Sequence, residues 1–314
     1  MDLINMYKTI DKIKTEKIDK IVSNSWIELI NPTAEEIKDV VSATNVDGYL
    51  INKVLDEEEL PRIEIGKTST LIVIDTPYLV DTAYKNKYYT YPLGLIIGKE
   101  HIISISLKEL MIFDDFKHNK IKEFYTEKKT RFILQILLKI ASTYQKDLKV
   151  IDDDISNKEK YLHKSTKNKE LLDLLNIEKT LVYFITSLKA NDIVLEKLAK
   201  GSILPLYDND SYLLEDALIE NKQAIEMANI YREILTSMTD TYATIISNNL
   251  NGVMKFLAGI TIVFSIPTMI SSFLGMNVSF GFLGTYKYSF WIIILLSLIV
   301  SFIVSYILKK KDML

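Results

Sequence analysis

Hydrophobic positions follow three rhythms along this chain, and each rhythm predicts a different element. Up to about residue 115 the apolar residues come in short β-branched runs, Leu71 to Ile74, Leu93 to Ile97 around Gly94, and Ile102 to Ile105. Pro77, Gly98 and charged turns separate them, as expected of strands in a small sheet. Thr33, followed by Glu35 and Glu36, predicts a capped helix start. From Lys117 to Lys200 the spacing changes to threes and fours. Ile133, Ile136, Leu137, Ile140, Tyr144, Leu148, Ile151 and Ile155 share one face, and Leu171 to Leu195 repeat the pattern after a polar bend at 163–167. Two antiparallel amphipathic helices ending near Gly201 are the expectation.

After Asp208 and Asp210, either of which can cap a helix, no proline interrupts the chain from Ser211 to Pro267. A single helix from Ser211 to Leu274 would be roughly 95 Å long at about 1.5 Å per residue. Its last part, Phe256 to Leu274, is a 19-residue run without a charge, and Phe290 to Leu308 is another. Each is close to the roughly 20 residues that cross a hydrocarbon core of about 30 Å. Tyr288 and Trp291 suit an interfacial belt, and Lys309, Lys310 and Lys311 follow the second run directly. The positive-inside rule puts those lysines and Lys255 in the cytoplasm, so both termini are expected inside and the intervening loop outside.

The first uncharged run carries a second pattern. Asn251, Met254, Ala258, Thr261, Ser265, Thr268, Ser272 and Gly275 succeed one another at alternating steps of three and four, the spacing of one helix face. Phe256, Ile260, Val263, Phe264 and Ile270 lie off that line. Two readings stand: a polar line facing an aqueous path along a bundle axis, or small residues that bring helix backbones close. Gly259 and Ser271, off the line, suit packing.

Composition narrows the function classes. The chain has 314 residues, a net charge of −3, three histidines and no cysteine. Disulfides, thiolate metal sites and cysteine nucleophiles are excluded, the dispersed His101, His118 and His163 form no ligand spacing, and nothing suggests a nucleic-acid partner. The Gly66-Lys67-Thr68 sequence lacks the upstream glycine of a phosphate loop. Asp56 to Glu59 reads as a solvated turn and Asp152 to Asp154 as a solvated helix face. Asp114 and Asp115 could bind a cation, and a helix start explains them as well. No apolar segment follows the basic residues of the N-terminus, so no signal peptide is expected. No nucleophile, base and oxyanion donor converge, so the chain is not read as an enzyme.

Gly275-Met276-Asn277 at the end of the first of two C-terminal spans resembles the CorA family of magnesium transporters. Asp240-x-Tyr242, Asn248, Asn251-x-x-Met254-Lys255 and the terminal lysines are similar to the family's pattern, as is Trp26-Ile27-Glu28-Leu29 followed by Pro32-Thr33 and Glu35-Glu36. The acidic run at 152–154 falls where the family has an acidic segment. The resemblance implies an α+β membrane protein with a cytoplasmic α/β domain (1–116), long helices forming a funnel or stalk (117–250), a pore helix (251–277), an outer loop (278–289), a second span (290–308) and a basic tail (309–314). It also implies a homopentamer in the plasma membrane, surrounded by lipid, carrying Mg²⁺ and in addition Co²⁺ or Ni²⁺.

By the same resemblance Gly275, Met276 and Asn277 form the outer filter, with Asn277 binding the ion through its retained waters. Asn251, Met254, Leu257, Thr261, Ser265, Thr268 and Ser272 match pore-facing positions, with Met254 and Leu257 as an apolar gate. Asp216, with Glu215 and Asp81 as companions, matches a regulatory Mg²⁺ site between subunits. Two departures stand out: the outer loop has no acid, and Leu274 replaces an aromatic. A related Zn²⁺ transporter and a membrane-anchored scaffold or sensor without transport are the alternatives.

Overall fold

The computed structural model describes residues 4–10, 14–82, 85–162, 168–201, 203–205, 207, 210–276, 281 and 287–313. They form two compact units, Met1–Ser237 and Met238–Leu314.

The first unit is built on a seven-stranded sheet of β1 (Ile4–Ile10), β2 (Lys14–Lys17), β3 (Trp26–Ile30), β4 (Arg62–Ile65), β5 (Thr70–Thr82), β6 (Lys85–Ile97) and β7 (Ile102–Ser106). Their order is β2-β1-β3-β7-β6-β5-β4. Only β3 and β7 run parallel; the other pairs are antiparallel. The three apolar runs predicted as strands are the middle of this sheet. Of the others, β1, β2 and β4 lie towards its edges, where half-exposed positions need no strong apolar alternation.

Strand β5 does not stop at Pro77 as the sequence reading expected. Pro77 pairs with Thr90, and Pro92 of β6 pairs with Asp75. Both prolines share the register in which backbone N–H and C=O point away from the β5–β6 ladder, so neither missing N–H breaks it. The outer edge of β5 is open there, because β4 covers it only from Thr70 to Val73. At Asp75 the α5 helix described below takes over: Asp75 N donates to Asn191 Oδ1 and Asn191 Nδ2 donates to Asp75 O, each at 2.8 Å. One amide side chain thereby substitutes for a strand along a sheet edge.

Helices α1 (Ala34–Thr44) and α2 (Gly48–Val54) cover one sheet face. Thr33 caps α1 in a reciprocal box with Glu36: Glu36 N donates to Thr33 Oγ1 at 3.3 Å and Thr33 N donates to Glu36 Oε2 at 2.7 Å, as the Thr33 spacing predicts. Ile37, Val40, Leu50, Ile51 and Val54 join Ile27, Leu29, Leu71, Val73, Ile103 and Ile105 in one buried cluster. Gly94 is required by this packing, since a Cβ there would lie 2.4 Å from Val54 Cγ2.

Helices α4 (Lys129–Leu162) and α5 (Asn168–Ala199), preceded by the single turn α3 (Asp114–Lys117), are the expected amphipathic pair. The predicted bend at 163–167 lies outside the described residues. Trp26 anchors an aromatic cluster with Tyr7, Phe113, Phe124 and Phe132. Gly201 ends the pair in the left-handed region at φ 77°, its N–H on Leu198 O, the usual glycine role after a helix.

Helix α6 runs unbroken from Ser211 to Leu274 with Pro267 inside it, as the sequence predicts. Within the first unit it buries Leu213, Leu214, Ala217, Asn221, Ala224 and Ala228, a stripe whose small residues allow close helix approach. Asn221 Nδ2 donates to Leu188 O on α5 at 3.0 Å. The second unit contains the rest of α6 and α7 (Ser289–Lys310). Both are long and apolar enough to cross a membrane.

Candidate functional site

The polar line can be placed on α6 by what the single chain covers. Gly259 is buried, and Val263, Ile266, Ile270 and Leu274 are half-buried. At about 100° per residue these positions lie on the opposite side of the helix from Thr261, Ser265, Thr268 and Ser272. Asn251, Met254, Leu257, Thr261, Ser265, Thr268, Ser272, Gly275 and Met276 are all exposed. On α7 the covered strip is Ile293, Ser297, Val300, Ser301, Val304 and Leu308. One face of the apolar part of α6 is therefore occupied within its own chain, and the face with the polar line is not.

The hydroxyls on that line share one arrangement. Thr261 Oγ1 donates to Leu257 O at 2.8 Å, Ser265 Oγ to Ile262 O at 2.8 Å, Thr268 Oγ1 to Phe264 O at 3.2 Å and Ser272 Oγ to Thr268 O at 2.8 Å. Each proton is held by the helix's own backbone. Each oxygen keeps lone pairs for a donor outside the helix. The line thus presents a column of acceptors without a formal charge, which would be expensive inside a bilayer.

At the outer end, Gly275 N donates to Ser271 O at 3.0 Å and Met276 is exposed. A Cβ at Gly275 would meet nothing closer than Ser271 O at 3.5 Å, and its φ is not in the left-handed region. Among the described residues nothing demands a glycine at this position. Asn277 lies outside the described residues.

Glu215 and Asp216 are exposed in the first turns of α6. Asp81 is on β5 opposite Asn86, with its side chain outside what is described. Among the described residues no three His, Cys, Asp or Glu side chains converge.

Sequence reasoning missed two polar clusters in the first unit because their members are far apart in the chain. Asp75 and Asp147 are each pushed up to about 6 by burial. Tyr144, fully buried, is held well above its ordinary range by burial and by the charge of Asp75. A buried arginine, Arg131, pairs with Asp210 immediately before α6 at 2.9 Å. Elsewhere, Glu28 is 1% exposed and faces Lys117 Nζ at 2.9 Å; burial, partly offset by Lys117, raises its pKa. The expected helix start at Asp114 and Asp115 is α3, where Asp115 binds Lys139 Nζ at 2.6 Å.

The family model described as CorA-like Mg²⁺ transporter protein matches residues 23–310. The Cobalt/magnesium transport protein CorA of Methanocaldococcus jannaschii is 28% identical over 296 residues, covering 91% of this chain and 90% of its own. The protein of the same name from Thermotoga maritima is 21% identical over 315 residues, covering 96% and 88%. The complete structure of the CorA magnesium transporter from Methanocaldococcus jannaschii superposes with a TM-score of 0.84 at 25% identity, covering 98% of this chain and 97% of that one.

Proposed function

The chain belongs to the CorA-like Mg²⁺ transporter family, and from this we propose that it is a pentameric channel for hydrated Mg²⁺ in the plasma membrane. Residues 251–277 and 290–308 cross the bilayer, 278–289 lie outside, and 1–116, 117–250 and 309–314 lie in the cytoplasm. The observation that carries the reading is the uncovered acceptor column of α6, opposite the strip its own chain covers and ending in Gly275-Met276-Asn277.

Mg²⁺ releases its waters reluctantly and is commonly bound with several retained. Those waters point their hydrogens outward. A ring of Asn277 amide oxygens would accept them at the mouth, and Ser272, Thr268, Ser265 and Thr261 would accept them further in, each with its own proton already engaged. Asn251 continues the line below. Met254 and Leu257 form an apolar ring that stops conduction by dewetting when closed. A glycine at 275, with no described neighbour that requires it, fits a place where neighbouring copies approach closely. Co²⁺, which the names of the relatives include, and Ni²⁺ would pass by the same contacts with bound water.

Mg²⁺ held between subunits by Asp216, with Glu215 and Asp81 nearby, would neutralise repelling carboxylates and favour the closed state. Uptake into proteoliposomes tests both parts. Asn277→Ala should reduce Mg²⁺ flux by about tenfold or more, the order lost with one hydrogen bond to a charged group. Asp216→Lys should remove inhibition by Mg²⁺ on the cytoplasmic side. Full flux through the Asn277→Ala protein would overturn the filter, and full repression of the Asp216→Lys protein would overturn the regulatory site.

A further inference from the structure

At the start of α6 one buried side chain ties several segments together. Arg131, in the first turn of α4, is 6% exposed, and Asp210 is equally buried. Arg131 Nη1 donates to Asp210 Oδ1 at 2.9 Å, and Nη2 donates to Tyr212 Oη at 3.2 Å and to Glu123 Oε2. Its Nε donates to Glu123 O at 3.3 Å. Glu123 itself sits at φ 53°, a left-handed conformation that non-glycine residues keep only where their surroundings enforce it. One planar guanidinium thus joins three segments: α4, the 123 turn, and the first residues of α6.

A buried ion pair is weak evidence for stability, because desolvation cancels most of the attraction; its best-attested use is to fix register. A forked arginine sets both distance and orientation, which a lysine cannot do. Asp210 precedes Glu215 and Asp216 by five and six residues, about one and a half turns of the same helix. Leu213, Leu214 and Ala217, buried on its opposite side, leave the two carboxylates facing outward.

We propose that Arg131 is the positioning residue of the inter-subunit cation site: its contacts with Asp210, Tyr212 and Glu123 fix the axial and rotational setting at which Glu215 and Asp216 are presented. The inference rests on the regulatory role proposed above for Asp216. It adds a residue that touches no ion, yet sets how tightly the ion is held.

The test uses the full-length protein in proteoliposomes and measures Mg²⁺ uptake against Mg²⁺ on the cytoplasmic side. Arg131→Lys keeps the charge and loses the fork. Asp210→Asn keeps a side chain that caps a helix and loses the ion pair. Both should raise the half-inhibitory Mg²⁺ concentration about tenfold, an ordinary size for coupling between sites, and leave maximal flux without cytoplasmic Mg²⁺ within about twofold of wild type. An unchanged half-inhibitory concentration in both, alongside relief of inhibition in Asp216→Lys, would overturn the role of Arg131 and leave the site standing. Maximal flux falling together with inhibition would also overturn it, since that marks a general loss of structure. If Asp216→Lys remains fully inhibited, the underlying regulatory reading fails.

Discussion

Removing the charge of Asp75 should stabilise the first unit at neutral pH. Burial pushes this carboxyl from its ordinary 3.8 up to about 6, opposed only by a hydrogen bond from Ser187. That interval corresponds to about 3 kcal/mol of preference for the neutral acid in the fold. Because the folded value lies above the unfolded one, the stabilisation is complete below about pH 4 and is lost as pH rises through about 6. Asp75→Asn carries no charge, can accept the Ser187 hydrogen bond, and leaves the backbone bonds to Asn191 untouched.

The variant should therefore be more stable than wild type by about 3 kcal/mol at pH 7.5 and by roughly half that at pH 5. For a unit of this size that is about 6 to 12 °C in melting temperature at pH 7.5. The assay is thermal unfolding in detergent by Trp26 fluorescence in a Trp291→Phe background, since these are the two tryptophans and Trp26 is fully buried in the sheet core. Asp147, also pushed up to about 6, keeps part of the pH dependence in both proteins. His101, lowered chiefly by burial, has the opposite sign and cancels in the comparison. Equal melting temperatures at pH 7.5, with equal changes between pH 5 and pH 7.5, would show the Asp75 carboxylate to be hydrated in the fold and refute the reasoning.

Gly275→Ala should leave melting unchanged, because the new Cβ has ordinary contacts within the chain, but should reduce Mg²⁺ uptake; full uptake would show that copies do not crowd this position. Met254→Gln should hydrate the apolar ring and raise uptake at inhibitory cytoplasmic Mg²⁺, and a variant as tightly closed as wild type would place the barrier elsewhere. Gly94→Ala should destabilise the first unit by about 1 to 3 kcal/mol, as Val54 Cγ2 lies 2.4 Å from the added carbon; a melting temperature within 1 °C of wild type, by the same assay, would show that α2 shifts freely.

Periodicity was enough for α4 and α5, because a long helix writes its buried face into the sequence at every third or fourth residue, while α6 and α7 were legible from a stretch free of proline and from uncharged runs long enough to span. The middle strands were legible for a similar reason, being buried on both faces. Strands β1 and β2 were not, since KTEK and INMYKTI owe their structure to pairing with neighbours. Pro77 misled because its local effect is to end a strand, and only the position of β4 shows that it sits on an open edge. Within the candidate site, the acceptor column was visible as spacing, and Gly275-Met276-Asn277 as a motif. Which side of α6 stays uncovered was not visible, since it depends on where the second span lies.

The sequence by itself determined the long α6, the two apolar helices, the polar line and the absence of charge along it, because each follows from the identity and spacing of residues on one helix. Tertiary structure decided what no local pattern encodes. It turned the covered strip of α6 to the side opposite the hydroxyls, set Asn191 against the open edge of β5, and brought Arg131 to Asp210 across 79 residues of chain. These depend on contacts between distant segments, and the geometry of such contacts is fixed only when the segments pack.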